Sequence, residues 1–271
     1  MNPFRHLLMT AGHQAPLGTW IMSGSPLVAE AVGHAGFDWG VIDMEHAPLD
    51  VMGVVHLLQA VASTKMLPIV RVPWNEAVIV KRVLDAGAST LMFPMVQTAA
   101  EAESAVAATR YPPQGVRGMA GMSRGSRFGT ATQYLKTANQ QVGVIVQLET
   151  PSALGQLEAI ARVNGVDALF VGPSDLSAAM GHAGNVHHPA VMEQMTQAAQ
   201  RCRGLGVPVG TIGDTPELVA QYRAAGFDFV AIGSDLGLMM RAARSAIAAL
   251  STRDSEHVHL LSSGTQTGTG G

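Results

Sequence analysis

One short pattern occurs four times along the chain, and it constrains the fold more than any other feature. Each copy has a glycine after a small residue or asparagine, then a short gap and an apolar run typical of a strand. The glycine suits the left-handed conformation that ends a helix. A strand–helix unit repeated in this way predicts a parallel sheet covered by helices. The copies are AGFDWGVID at 35–43, AGASTLMFP at 86–94, NGVDALFVGP at 164–173 and AGFDFVAIG at 225–233.

Eight strands are predicted in all, and helix-like stretches separate most of them. Eight such units predict an α/β protein that folds as a single-domain (β/α)₈ TIM barrel. A doubly wound open sheet is the alternative, but no G-x-G-x-x-G motif follows the first strand. We assign residues 1–250 to the barrel and expect the low-complexity tail, 251–271, to be disordered. The predicted strands are 18–22, 39–43, 67–72, 90–94, 142–149, 168–171, 207–212 and 229–233.

Composition narrows the class of protein further. The 271 residues are 47% hydrophobic and 14% charged, which suits one large domain. A formal net charge of −3 gives no reason to expect nucleic acid or an anionic membrane as a partner. No tract has the length and apolarity of a membrane span, and the first residues lack the pattern of a secretory signal. The single cysteine, Cys202, excludes an internal disulfide and a cysteine-based zinc site. We therefore expect a cytoplasmic protein.

Two carboxylates follow apolar strands in consecutive units. Glu149 ends the run VGVIVQLE, and Asp175 lies just past VDALFVGP. In TIM barrels the site is built at the carboxyl ends of the strands. Mg²⁺ and Mn²⁺ prefer carboxylate oxygens and keep positions open for water and substrate. The pair predicts a metal site. The alternative is that each is an ordinary loop carboxylate, with Asp175 assisting Ser174 as the cap of the next helix.

Two basic residues at strand ends are candidates for the chemistry. Arg71 ends the otherwise apolar strand LPIVRV, where a buried charge is costly unless it is paired. It would stabilise an oxyanion or bind a carboxylate, or else form a structural salt bridge. His46 follows Asp43 and Glu45, and an Asp–His pair orients a histidine as a general base. We therefore select His46 as the candidate base, with a structural histidine as the alternative.

Lysine is informative because it is scarce. The chain has only three lysines, and none of them ends a predicted strand. A Schiff-base mechanism needs a lysine inside the site. The sequence therefore argues against a lysine-dependent aldolase and favours the chemistry of a metal-stabilised enolate. The three residues are Lys65, Lys81 and Lys136.

One long stretch, 112–136, falls outside the regular repeat. It is rich in Gly, Arg and Ser, and it separates the fourth unit from the fifth. Long loops in compact domains are usually functional. We expect an ordered loop that lies over the barrel mouth or against a neighbouring subunit.

Several separate motifs, found in the same order, resemble the class II pyruvate aldolases of the HpcH/HpaI aldolase/citrate lyase family. This family is typified by 4-hydroxy-2-oxoheptanedioate aldolase, and the resemblance covers roughly residues 10–250. It implies a metal-dependent (β/α)₈ barrel that cleaves or forms 4-hydroxy-2-oxo acids in aromatic or sugar acid catabolism. The products would be an aldehyde and pyruvate, or a related 2-oxo acid such as hydroxypyruvate. The motifs are FDWGVIDMEHAP, RVPWNE, LMFPMVQTAAEAE, TRYPPQGVRG, VQLET and VDALFVGPSDLSAAMG.

The resemblance also assigns roles to individual residues. Glu149 of VQLET and Asp175 of GPSDL would hold Mg²⁺ or Mn²⁺, with Co²⁺ as a further option. Arg71 would bind the oxo acid and stabilise its enolate. His46, paired with Asp43, would be the base. The other implied residues line the substrate pocket: Gln147, Gly172, Pro173 and Ser174 on the pyruvate side, and Trp20 and Ile212 on the aldehyde side.

The family also implies an assembly. Its members form hexamers, described as dimers of trimers, so we expect a homo-oligomer in which the loop around Arg117 and Met119 completes a neighbour's site. Two alternatives to the aldolase remain. One is a CoA-ester lyase of the citrate lyase branch, although no basic cluster suits the CoA nucleotide. The other is a non-catalytic barrel that binds a 2-oxo acid, which would have no need of a base.

Overall fold

Eight parallel strands close into one barrel in chain order. The computed structural model describes residues 1–12 and 14–263. Each strand pairs in parallel with the next along the chain, and β8 pairs with β1 to close the sheet. The predicted single-domain (β/α)₈ barrel is confirmed. The strands are β1 (Leu17–Ile21), β2 (Trp39–Asp43), β3 (Leu67–Arg71), β4 (Thr90–Phe93), β5 (Gly143–Leu148), β6 (Ala168–Val171), β7 (Val209–Gly213) and β8 (Phe229–Ser234).

Helices connect the strands along the chain. The described part of the chain contains twelve of them, because several connections hold more than one helix. They are α1 (Pro3–Thr10), α2 (Pro26–His34), α3 (Val51–Val61), α4 (Ala77–Asp85), α5 (Ala99–Thr109), α6 (Tyr134–Gln141), α7 (Pro151–Gly155), α8 (Leu157–Ala161), α9 (Pro173–Ala179), α10 (Pro189–Leu205), α11 (Pro216–Ala225) and α12 (Asp235–Ser263).

The end of the chain differs from the predicted boundary. The barrel unit comprises Met1–Asp235, and the residues from Leu236 onward form a second unit. Within this unit, the residues up to Ser263 belong to α12. Residue 250, the predicted boundary, therefore lies inside a helix and not at its end. Residues 264–271 lie outside the described residues. The disorder that we expect for 251–271 stays a prediction.

The repeated pattern has a single structural cause. Its copies precede β2, β4, β6 and β8, and their glycines share φ angles of 103° to 105°, in the left-handed region that glycine tolerates best. Three copies also carry an aspartate two residues after the glycine. Each of these carboxylates accepts a backbone N–H from the first or second residue of the preceding strand, which ties the two strands together at their amino ends. The bonds are Leu17 N–H to Asp38 at 2.8 Å, Val144 N–H to Asp167 at 2.8 Å and Val209 N–H to Asp228 at 2.9 Å.

The barrel interior is filled mainly by aromatic and branched side chains. Because successive strand residues point to opposite faces, one set packs inside and the other set packs against the helices. Helix α1 closes the end of the barrel where the strands begin, and Phe4 packs edge-on against Phe229 with ring centroids 5.2 Å apart. The buried inner cluster consists of Phe4, Trp20, Trp39, Val41, Ile69, Met92, Ile145, Ala168, Phe170, Phe229 and Ala231.

The long stretch 112–136 does not cover the mouth of its own barrel. Its Gly125 N–H donates to Asp85 O at 3.1 Å, and Arg124 donates to Ala86 O at 3.0 Å. Asp85 is the last residue of α4 and Ala86 follows it, so both precede β4 at the amino ends of the strands. The mouth of the barrel is at the opposite end, so this half of the prediction was wrong. A contact with a neighbouring subunit stays a prediction.

The structure adds to two observations from the composition, which concern the single cysteine and the lack of a membrane span. Cys202 is buried in α10, and burial raises the pKa of its thiol to about 12, so the thiol is unreactive in the folded chain. Among the described residues, no helix combines the length and apolarity needed to cross a membrane.

Asn2 ties α1 to the barrel and supplies the first stability prediction. Its carboxamide caps α1 by accepting the Phe4 N–H at 2.9 Å, and its Nδ2 donates to Ser89 O and Gln141 O, both at 2.8 Å. We expect Asn2→Ala to lower the free energy of unfolding by about 2 kcal/mol or more, because buried carbonyls lose their donor as well as the helix its cap.

The control for this prediction is Asp50→Ala, which removes the exposed cap of α3 and no buried contact. It should cost about 1 kcal/mol. Urea unfolding followed by circular dichroism measures both changes. Equal losses in the two variants would show that the buried bonds of Asn2 add nothing to its capping.

Candidate active site

The period of two along each strand carries a polar residue to the barrel mouth. Ile145 belongs to the inner cluster, so Gln147 also points inward, and Glu149 follows directly after β5. The same step leads from Ile69 to Arg71 in β3, and from Val41 to Asp43 in β2. All of these side chains therefore converge at the carboxyl ends of the strands, where sites of such barrels form.

Arg71 is the only described arginine paired with carboxylates at this end of the barrel. Asp43 and Arg71 are partners in the register of β2 and β3, so their side chains leave the sheet side by side. Arg71 Nε and Nη2 donate to the two oxygens of Asp43 at 2.9 and 2.6 Å. Burial disfavours the charged guanidinium, but the hydrogen bonds and charge of Asp43 and the charges of Glu45 and Glu149 together outweigh burial. The pKa of Arg71 is therefore raised, and the group stays cationic.

Glu45 is a second partner of Arg71. Its Oε2 lies 2.7 Å from Arg71 Nη1, and its side chain is mostly buried. Burial raises the pKa of Glu45, and the positive charge of Arg71 opposes that rise. We named Glu45 among the polar residues that follow the second strand but gave it no role. The signal lies in the spacing of Asp43, Glu45 and His46, a D-x-E-H motif in which Glu45 stands between the two residues that we selected.

Glu149 is a buried carboxylate with little neutralising charge. It is 2% exposed, and it accepts the Met95 N–H at 2.8 Å and Gln147 Nε2 at 3.3 Å. Burial raises the pKa of Glu149 to about 7, and the charge of Asp175 raises it as well, against the bond from Met95. Met95 has a φ of 53°, which is unusual for a side chain of its size. This conformation aims its N–H at the carboxylate, and no sequence signal predicts it.

Gly172 leaves the space that the Glu149 carboxylate occupies. A Cβ atom at residue 172 would lie 2.6 Å from Glu149 Oε1, so any other side chain would displace the carboxylate. Pro173 begins α9 and Ser174 follows it, exposed to solvent. The structure makes Gly172 the N-cap of α9, without a side-chain bond, so the prediction that Ser174 caps this helix was wrong. Proline fits the first helical position, which moves the cap one residue earlier.

Asp175 lies in the first turn of α9 and is exposed. Its negative charge raises the pKa of both Glu149 and Glu45, which places the three carboxylates within electrostatic reach of one another. The joint role of Glu149 and Asp175 as metal ligands stays a prediction.

His46 lies at the edge of the site, and its partner differs from the expected one. The imidazole is 59% exposed, with Nε2 4.0 Å from Glu45 Oε2. Asp43 accepts the backbone N–H of His46 at 3.4 Å and contacts no ring nitrogen. The expected Asp43–His46 side-chain pair is therefore absent. The reason is that Asp43, fully buried, gives both oxygens to its register partner Arg71.

The two residues expected on the aldehyde side occupy different depths. Trp20 is buried in the inner cluster, with its ring 5.4 Å from that of Phe170, and the guanidinium of Arg71 lies 5.7 Å from its centroid. It therefore forms the floor beneath Arg71. Ile212 is partly buried and packs against the same cluster. Phe170 shares this floor, and we did not select it because it reads as an ordinary strand residue.

The family resemblance implied that Arg117 and Met119 contact a neighbouring subunit, and the two side chains differ in exposure. Arg117 is 1% exposed, and its Nη2 donates to Asp85 at 2.9 Å and to the Tyr134 hydroxyl at 3.0 Å. Its charge is therefore used inside its own chain. Met119, in contrast, is exposed.

The donor set at the mouth fits a divalent cation. The carboxylates of Asp43, Glu45 and Glu149 act on one guanidinium, and the charge of Asp175 acts on two of them, so negative charge is in excess. Gln147 Oε1 is buried with no hydrogen-bond partner, and the absence of a side chain at Gly172 makes room for the Glu149 carboxylate itself. Within the described residues, no three His, Cys, Asp or Glu side chains form a complete metal cluster. Water and substrate would therefore have to supply the remaining ligands.

Fold and site together define the chain as a (β/α)₈-barrel enzyme with charged side chains at the mouth of the barrel. Comparison with known proteins identifies the family. The HpcH/HpaI aldolase/citrate lyase family matches residues 17–242, and the chain belongs to this family. It is a carbon–carbon lyase of the class II aldolases.

Individual relatives cover nearly the whole chain. A 2-dehydro-3,6-dideoxy-6-sulfogluconate aldolase from Pseudomonas putida is 48% identical over 245 residues, which is 90% of this chain and 96% of that protein. A 5-keto-4-deoxy-D-glucarate aldolase from Salmonella arizonae is 43% identical over 236 residues, covering 87% of this chain and 92% of that one. The crystal structure of a family protein from Burkholderia cenocepacia J2315 is 43% identical, with a TM-score of 0.88, over 92% of this chain and 99% of that chain.

The contact between Gly172 and Glu149 generates a prediction about cation binding. Gly172→Ala should push the Glu149 carboxylate away and weaken Mn²⁺ binding about tenfold or more, since ligand orientation governs affinity. Gly155→Ala is the matched control, because a Cβ atom there meets nothing within 4 Å. Isothermal titration calorimetry with Mn²⁺ measures both. Unchanged affinity in Gly172→Ala would remove Glu149 from the cation site.

Proposed function

We propose that this enzyme is a metal-dependent pyruvate aldolase that splits a 4-hydroxy-2-oxo acid into pyruvate and an aldehyde. The observation that carries the proposal is the arrangement at the mouth of the barrel. A fixed guanidinium at Arg71 stands among surplus carboxylates, one of which, Glu149, is buried and has a raised pKa. Positive groups held in this way stabilise the negative charge that develops on an enolate oxygen.

The names of the relatives favour a sugar acid as the substrate. Both 5-keto-4-deoxy-D-glucarate and 2-dehydro-3,6-dideoxy-6-sulfogluconate are six-carbon acids. In each, a ketone adjoins a carboxylate, and a deoxy carbon separates the ketone from a hydroxyl-bearing carbon. Cleavage beyond the deoxy carbon yields pyruvate from either compound. We therefore place the substrate among these 3-deoxy sugar acids, whereas 4-hydroxy-2-oxoheptanedioate has no counterpart among these names.

Glu149 and Asp175 are the residues that would hold the cation, with Mg²⁺ or Mn²⁺ as the expected ions and Co²⁺ as a third. When bound, the ion would act as a Lewis acid that polarises the 2-oxo group. Glu149 is oriented for this role by the Met95 N–H and by Gln147. Gly172 keeps its position clear.

The oxo acid would bind between Arg71 and the start of α9. The Gly172 N–H already donates to Leu148 O at 3.3 Å. Pro173 has no N–H, so the first-turn amides left without a helical partner are those of Ser174 and Asp175. These amides, with Gln147, would hold the substrate carboxylate, and Arg71 would face the 2-oxo group. The Trp20 floor limits how deep the substrate can enter.

His46 would act as the base at the open side of the site. Its imidazole removes the proton from the 4-hydroxyl, the C3–C4 bond breaks, and the aldehyde leaves. The electron pair of that bond becomes the enolate, whose oxygen Arg71 stabilises. Protonation at C3 then gives pyruvate, and the reverse sequence gives aldol addition.

The enzyme would work as an oligomer. The stretch 112–136 presents exposed apolar side chains at Val116, Met119, Met122 and Phe128. Exposed apolar groups in such number suit contact with another copy of the chain. Arg117 would stabilise this stretch from within, since it is buried between the rings of Tyr111 and Tyr134. Because Arg117 is buried within its own chain, we propose that Met119 is the residue that contributes to a neighbour's site.

Pyruvate release from 3-deoxy sugar acids tests the proposal. Protein stripped by a chelator should release no pyruvate, and added Mg²⁺ or Mn²⁺ should restore release, whereas Glu149→Gln should stay inactive with either ion. An enzyme-coupled assay for pyruvate measures the rate. Undiminished release in excess chelator would contradict the metal requirement.

The same protein, stripped by chelator and resupplied with metal ions, also tests the alternative of a CoA-ester lyase. If no 4-hydroxy-2-oxo acid is cleaved with any ion, hydrolysis or cleavage of CoA thioesters becomes the assay to run, and activity there would establish the CoA-ester lyase instead.

Arg71 generates a separate prediction. Arg71→Lys keeps a positive charge but loses the two-point bond to Asp43, so the cation moves away from the enolate. We expect kcat to fall about 100-fold or more, with Mn²⁺ affinity nearly unchanged. Arg82→Lys, on the exposed side of α4, is the matched control and should retain full kcat. A fully active Arg71→Lys would exclude Arg71 from the reaction.

A further inference from the structure

Met95, at the carboxyl end of β4, adopts a backbone conformation that its side chain disfavours. Its φ of 53° lies in the left-handed region, where the Cβ atom of an ordinary residue is crowded. The conformation has a use, since the Met95 N–H donates to Glu149 Oε2 at 2.8 Å. A strained backbone persists only when the contacts around it hold it in place. The contacts that hold Met95 are therefore part of what orients Glu149.

The peptide group between Met95 and Val96 is held at both of its ends. Its N–H, which belongs to Val96, donates to the carbonyl oxygen of Gln147 in β5 at 3.1 Å. Its carbonyl oxygen, which belongs to Met95, accepts Nε2 of the Gln97 carboxamide at 3.5 Å. Because a peptide group is planar, holding both ends limits rotation about ψ of Met95. One of the two holds is a barrel backbone contact, and the other depends on the side chain of Gln97.

The other end of the Gln97 carboxamide reaches the residue that follows Glu149. Thr150 Oγ1 donates to Gln97 Oε1 at 2.5 Å, which orients the carboxamide. The same hydroxyl accepts the Ala153 N–H at 3.1 Å as the N-cap of α7, so Thr150 is itself fixed by the start of a helix. One carboxamide therefore joins the loop after β4, which supplies the donor to Glu149, to the loop after β5, which begins at Glu149.

We propose that Gln97 is a positioning residue, which holds the Met95 N–H against the Glu149 carboxylate by bridging Met95 O and Thr150 Oγ1. The proposal rests on the proposed function for the role of Glu149 as a metal ligand. Contacts that orient a metal ligand from behind commonly change metal affinity by about 10-fold to 100-fold when they are removed. Gln97 would thus act on the cation site through Met95 and Thr150.

The first test measures the Met95 N–H in metal-free protein, by amide hydrogen exchange followed with NMR. Gln97→Met keeps the length of the side chain and removes both hydrogen-bonding ends of the carboxamide. We expect the Met95 amide to exchange about tenfold or more faster in this variant than in the parent, because the bond to Glu149 opens more often. Thr150→Val, which cannot donate to Gln97, should have the same effect. Thr150→Ser retains the hydroxyl and should match the parent.

The matched control is Thr215→Val, which removes a helix cap but no bond to a glutamine. Thr215 is the N-cap of α11 as Thr150 is of α7, and in both helices a proline follows the cap. The Thr215 hydroxyl accepts the Leu218 N–H at 3.2 Å, and it has no counterpart of Gln97 among the described residues. Exchange of the Met95 amide in Thr215→Val should therefore stay within about twofold of the parent.

The second test measures Mn²⁺ binding by isothermal titration calorimetry. Gln97→Met and Thr150→Val should each weaken binding about tenfold. The double variant should lose no more than about the same factor, because both changes break one connection and their effects do not add. Thr150→Ser and Thr215→Val should each bind Mn²⁺ within about twofold of the parent.

Unchanged Met95 exchange in folded Gln97→Met or Thr150→Val would overturn the proposal, as would unchanged Mn²⁺ affinity in both. The two variants remove the bridge from opposite sides, so the loss of native circular dichroism in one leaves the other to decide. Failure of the proposed function is distinguishable from failure of this proposal. A parent protein that binds no Mn²⁺, or releases no pyruvate with any ion, leaves the exchange comparison intact, and that comparison still decides whether Gln97 holds the Met95 N–H.

Discussion

The site depends on a guanidinium held inside the barrel mouth. Burying Arg71 is favourable only because its charge meets carboxylates in good geometry. The register of β2 and β3 supplies the first of them, since Asp43 and Arg71 are paired residues whose side chains leave neighbouring strands on the same face. Two parallel hydrogen bonds then fix the plane of the guanidinium, and Trp20 supports it from below. The cation is thus preorganised before any substrate arrives.

The same mouth carries more negative charge than Arg71 neutralises. The energetic cost of this excess negative charge is clearest at Glu149, because burial and the charge of Asp175 raise the pKa of this carboxylate to about 7. Several backbone features hold this carboxylate in place nonetheless. Met95 adopts a left-handed conformation to donate to it, and Gly172 leaves room for it. Such local strain at a functional site is commonly retained for function. The divalent cation that we propose beside Glu149 and Asp175 would offset this charge and would give these features a common purpose.

The fold was predictable from the sequence because its signals are local. The recurring glycines share one conformation, and the period-two strands deliver Arg71 and Glu149 to the expected end. The contacts that sequence reasoning missed depend on three-dimensional neighbours. Spacing within D-x-E-H suggested an Asp43–His46 pair, whereas the register across two strands gives Asp43 to Arg71. The backbone conformation of Met95 and the course of the stretch 112–136 likewise follow from tertiary contacts that no residue pattern encodes.

The central claim is that Glu149 and Asp175 hold a divalent cation next to Arg71. Anomalous diffraction from crystals soaked with Mn²⁺ and pyruvate tests it most directly. The account predicts one strong manganese peak within ligand distance of both carboxylates, about 2.0–2.6 Å, with the oxo acid lying between the ion and Arg71. A peak elsewhere on the chain, or pyruvate bound to Arg71 in the absence of any ion, would contradict it.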